Sequence, residues 1–83
     1  MRIYMQTPPL PDQAPRFYQI CLERDLISGW ILVKEWGQVG SAGRVKHEHY
    51  DDLDAAQQAL QQTRDQQARR GYQVVFVQGQ TGS

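Results

Sequence analysis

The chain has 83 residues, enough for one small domain with a modest core and too few for a large catalytic cleft. Nine basic and nine acidic side chains give zero formal charge, so no global field draws it to nucleic acid or anionic lipid, and any attraction must be local. The single Cys21 excludes an intrachain disulfide and fits a reducing compartment. No apolar run nears the roughly 20 residues of a membrane span, and no signal-peptide pattern follows Met1, so the expectation is a cytoplasmic protein without membrane contact.

Residues 1–7 (MRIYMQT) read as a short strand. Pro8, Pro9, Pro11 and Pro15 follow, and their fixed φ and missing amides predict an extended linker. FYQICL, residues 17–22, reads as a strand with Tyr18, Ile20 and Leu22 on one face. Ser28-Gly29 predicts a turn and WILVKEW, residues 30–36, a second clear strand. Gly40 to Gly43 supply a hairpin connection, and Arg44 to Tyr50 the returning strand. A symmetric turn over 40–43 would put Trp36 opposite His47 but Glu35 opposite Glu48, a like-charge pair, so the register stays open.

The period then changes. Leu53, Ala56, Leu60 and Thr63, with Ala59 alongside, form an apolar stripe on a helix over roughly 52–70. Asp51 or Asp52 can cap it, and Gly71 can end it in a left-handed conformation. YQVVFV, residues 72–77, reads as a last strand and 79–83 as a flexible tail. The order predicts an α+β fold, a small antiparallel β-sheet with one helix packed on one face.

Chemistry concentrates at EWGQVGSAGRVKHEHY, residues 35–50. Trp30, Leu32, Lys34 and Trp36 share one strand face, which starts apolar and becomes charged, so the strand is expected to leave the core and project a tip. Trp30 is expected in the core. Trp36 is either a plug over the hairpin or a stacking platform, and composition leaves the two open. Lys34, Arg44, Lys46, Arg69 and Arg70 supply cations that would suit a platform for a nucleotide. His47 and His49 lack the further ligands that zinc needs, so no metal or other cofactor is expected. No phosphate loop, nucleophile elbow or His-Glu-x-x-His is present, so neither enzymatic activity nor a small-molecule substrate is expected.

The segment from Arg16 to Tyr72 resembles the WGR domain, named for a Trp-Gly-Arg tripeptide. The resemblance rests on the Phe17-Tyr18 opening, Gly29-Trp30, Trp36-Gly37-x-Val39-Gly40, Gly43 before a basic strand, the helix, and Gly71-Tyr72. It implies one WGR-like domain over 1–78, with the N-terminal strand and proline linker over 1–15 preceding the core match. Such domains accompany DNA-dependent poly(ADP-ribose) polymerases and occur in bacterial molybdate-regulator-type proteins and as short stand-alone bacterial proteins. The implied function is a nucleic-acid-binding module with weak, sequence-independent binding of DNA ends or nicks. In the polymerases the motif tryptophan packs on the sugar of a terminal nucleotide, and basic residues grip backbone phosphate. Carried over, stacking falls on Trp36, within Trp36-Gly37-Gln38, and phosphate contact on Arg44 and Lys46, with Lys34, Arg69 and Arg70 as further cations. The chain departs from the motif at Gln38, which replaces the arginine and carries no charge for a phosphate. The alternative is a protein-interaction module using the same aromatic hairpin tip.

Overall fold

In the computed structural model, residues 1–79 are described; residues 80–83 of the expected tail lie outside the described residues. Five strands and one helix follow in the order β1 (Arg2–Gln6), β2 (Arg16–Arg24), β3 (Trp30–Gln38), β4 (Arg44–Tyr50), α1 (Leu53–Arg69) and β5 (Gln73–Gln78). The sheet has spatial order β4-β3-β2-β1-β5, with every neighbouring pair antiparallel. The helix lies on one face and carries the chain from the β4 edge to the β5 edge. The expected α+β architecture is therefore the observed one.

Residues directly opposed across antiparallel strands share a face. Ile3 and Met5 of β1, Tyr18, Ile20 and Leu22 of β2, and Leu32 of β3 all point to the helix, where Ala56 and Leu60 meet them. These eight residues are the buried core. Leu53, expected in the same stripe, is instead exposed, because it is the first helical residue and lies beyond the edge of the apolar layer. Thr63 is buried and satisfies its hydroxyl by donating to the Ala59 carbonyl at 2.8 Å. Trp30 is only half-buried; it packs against the core while the Arg24 guanidinium sits 5.0 Å over its ring.

The helix ends follow from named groups. Asp52, not Asp51, is the N-cap, its carboxylate accepting from the Ala55 N–H at 2.8 Å. At the other end Gly71 adopts φ 101°, and the Gly71 and Tyr72 amides donate to the Ala68 and Gln67 carbonyls. That reversal swings Tyr72 against Tyr18, the two rings meeting edge-on at 5.9 Å. The proline segment is a broad loop within the β1–β2 hairpin, closed where the Thr7 amide donates to the Arg16 carbonyl and the Arg16 amide to the Thr7 hydroxyl.

Candidate nucleic-acid interface

The β3–β4 hairpin turns about Gly40, at φ 90°, which puts Trp36 opposite Arg44, Lys34 opposite Lys46, and Glu35 opposite Val45. This register avoids the Glu35–Glu48 clash of a symmetric turn. It also sorts the candidate residues by face. Lys34, Trp36 and Gln38 share the helix side with Arg44, Lys46 and Glu48, whereas His47 and His49 point to the opposite, open side.

The hairpin does not project. β2 pairs with β3 along its whole length, from Arg24↔Trp30 to Arg16↔Gln38, and the Val39 amide donates to the Pro15 carbonyl at 2.9 Å. Trp36 is therefore not a free tip. Its ring is half-buried and stacks on Tyr18, with centroids 5.8 Å apart and planes 13° from parallel. The ring is neither a core plug nor a fully exposed platform. It is the rim of an aromatic cluster, Trp36–Tyr18–Tyr72, that begins where the helix stops covering the sheet.

Beyond that rim the burial falls away: Leu32 is fully buried, Lys34 and Trp36 are half-buried, and Gln38, Arg44 and Lys46 are exposed. The uncovered corner carries Arg16 as well, directly across from Gln38 and on the same face. Residue-by-residue reading missed Arg16, yet stepping by two from Leu22 through Ile20 and Tyr18 reaches it. The position where the motif has arginine thus holds Gln38, with a guanidinium-bearing residue opposite it on the neighbouring strand.

The cations are not equivalent. Lys34 binds Glu48 at 3.0 Å and its side chain is only 17% exposed; Lys46 reaches the other Glu48 oxygen at 3.4 Å with 61% exposed. Burial alone would raise the Glu48 carboxyl, but the hydrogen bond and charge of Lys34, with bonds from Tyr50 and Lys46, outweigh it and hold the group below its ordinary value. Glu48 therefore stays ionised and neutralises much of what the two lysines offer. Arg16, Arg44 and Arg70 have no carboxylate within salt-bridge distance among the described residues. Arg70 lies close enough to Tyr18 for its charge to oppose the rise that burial and Glu48 impose on that phenol. Arg69 differs: two positions beyond the buried Gln67 it lies about 200° round the helix, turned from the sheet. Arg69 therefore does not join the cluster.

Gly37 and Gly43 stand where packing leaves little room for a Cβ. A Cβ on Gly37 would come within 3.0 Å of the Gly43 Cα, and one on Gly43 within 2.7 Å of the Trp36 carbonyl oxygen. The Phe17 ring sits over the same spot on the open side. The glycines let strands and ring close up behind Trp36, fixing where its indole stands.

On the open side His49 donates its Nε2–H to the Ser28 carbonyl at 2.9 Å. Among the described residues no group of three or more His, Cys, Asp or Glu is placed to hold a metal ion. Cys21 also lies on this side, its thiol pushed up by burial. No described helix is long and apolar enough to cross a membrane.

No curated protein and no solved structure matches the chain. A family model does: that of the WGR domain matches residues 1–78, taking in the aromatic rim, the basic corner and every element of the sheet, and the chain belongs to the WGR domain family.

Proposed function

We propose that this protein binds DNA at ends or nicks through the corner formed by Trp36, Tyr18, Arg16, Gln38, Arg44 and Arg70. WGR domains are generally nucleic-acid-binding modules. The observation that carries the finer reading is a half-buried indole, braced on Tyr18 and bordered by exposed arginines without carboxylate partners. A braced ring offers its remaining surface to an exposed sugar or base at little entropic cost, and only a break in the duplex exposes one. Arginines around it engage phosphates on either side, which positions the strand without reading sequence. Lys46 contributes at the margin, weakened by Glu48. Lys34, largely buried and paired with Glu48, is not assigned a phosphate contact. Catalysis has no part in this reading, and no metal or cofactor is invoked.

The test is a fluorescence-anisotropy titration with three duplexes of one sequence: nicked, blunt-ended, and circular without ends. Tighter binding to the nicked and blunt forms than to the circle is expected. Equal affinity for all three would remove the role assigned to Trp36.

A second reading, a protein-docking module, is favoured by one observation. Leu26 and Ile27, at the β2–β3 turn, are fully exposed. This apolar tip is at the opposite end of β3 from Trp36, so the two readings predict different sensitive residues.

A further inference from the structure

The two edges of the sheet differ sharply. The β4 edge, RVKHEHY, alternates charge and histidine, a pattern that discourages pairing with another strand. The β5 edge, QVVFVQ, carries no charge, and each of its residues is exposed, with Val74, Val75, Phe76 and Val77 between 43% and 54%. Among the described residues β5 pairs only with β1, leaving its outer row of amides and carbonyls without a strand. We propose that β5 is a self-pairing edge: two copies of this chain join antiparallel, β5 to β5, about a two-fold axis.

The occupant is a second copy because β5 is complementary to itself. Read in either direction the strand is glutamine, four apolar residues, glutamine. An axis between Val75 and Phe76 sets Gln73 against Gln78, Val74 against Val77 and Val75 against Phe76. Opposed residues must share a face, and in a regular strand Val74 and Val77, three apart, would not. Here they do. The β1–β5 register shifts between Tyr4 and Met5, so Val77 faces Ile3 and Val74 faces Met5, both on the helix side, with Val75 as the extra residue. Gln73, Phe76 and Gln78 oppose Gln6, Tyr4 and Arg2 on the open side. A bulge ordinarily blunts an edge. In this strand it gives two of the three opposed pairs, Gln73 with Gln78 and Val74 with Val77, the matching faces that a two-fold pairing needs, with the unpaired Val75 at the centre.

The open side adds contact. Phe76 stacks on Tyr4 with centroids 5.3 Å apart, and the Arg2 guanidinium lies 5.9 Å from the Phe76 ring centroid while donating to Gln78. A contact between two six-residue strands is smaller than the roughly 1,200–2,000 Å² of stable specific interfaces, so the dimer is weak and reversible. Trp36, Gln38 and Arg44 lie on or at the ends of β3 and β4, away from the β5 edge, and the inference does not depend on the DNA-binding reading.

Sedimentation equilibrium of the full chain, from micromolar to near-millimolar protein, tests it. A monomer–dimer equilibrium is expected. Val75→Lys changes the bulge residue, which has no β1 partner, and should raise the dimer dissociation constant about tenfold or more. Gln73→Lys, at the strand end and opposite Gln78 of the partner subunit, is a second variant expected to weaken it. His47→Lys on the β4 edge should leave it unchanged. A wild-type chain monomeric throughout, an undiminished dimer in both folded β5 variants, or open-ended oligomers in place of a dimer would each overturn the proposal.

Discussion

Replacing Trp36 with alanine distinguishes three positions for this ring. Truncating a fully buried tryptophan costs about 3–5 kcal/mol, so a half-buried one should cost about 2. The stack on Tyr18, at 5.8 Å and 13°, adds about 1 kcal/mol beyond area. The expected loss is thus about 2–3 kcal/mol in urea denaturation, read by linear extrapolation. A solvent-exposed platform would lose under about 1 kcal/mol, and a core plug more than about 4. Tyr18→Leu closes a double-mutant cycle, with an expected coupling of about 0.5–1.5 kcal/mol. Loss outside the middle range, or coupling near zero, would refute the rim assignment.

Leu60→Ala, at a position 3% exposed between helix and sheet, should cost about 2–4 kcal/mol, checked by the same denaturation. Gly29→Ala should cost at least about 1–2 kcal/mol from its positive φ alone, because its Cβ would also meet the Tyr50 carbonyl oxygen at 2.5 Å; an unchanged melting temperature would contradict the turn geometry. Glu48 has a folded-state pKa below its unfolded one, so its contribution is complete above the unfolded value of about 4.3 and is lost as pH falls through the lower folded value. Glu48→Gln should accordingly flatten the acid limb of a stability–pH curve, and an acid limb identical to wild type would remove Glu48 from the account.

Period-two counting found the core face of β2, because Tyr18, Ile20 and Leu22 are apolar with no exception between them. The helix was equally legible, since an aspartate at 51 or 52 and Gly71 have physical reasons to stand where a helix starts and stops, although the sequence did not choose between the two aspartates. Trp36 was not, because its burial depends on Tyr18, eighteen residues away in sequence, which only the β2–β3 register brings beneath it. The same dependence hid the Lys34–Glu48 pair: the two lie on neighbouring strands, diagonal to each other, so the lysine looked free. Charge gradients along β3 suggested a projecting tip because one strand read alone cannot show that its neighbour runs equally far. Leu53 was misplaced for a similar reason, since a helical stripe shows which residues align and not where the sheet beneath them ends.

The central claim is that the arginine-bordered corner at Trp36 holds the phosphates of a broken duplex. Titrating the nicked duplex across a salt series, with wild type and Arg44→Ala, tests it most directly. Three phosphate contacts, from Arg16, Arg44 and Arg70, give an expected slope of log affinity against log salt of about −2.7. Arg44→Ala should bring that slope to about −1.8, with weaker binding at every salt concentration. A wild-type affinity indifferent to salt, or an Arg44→Ala variant with unchanged slope, would contradict the account.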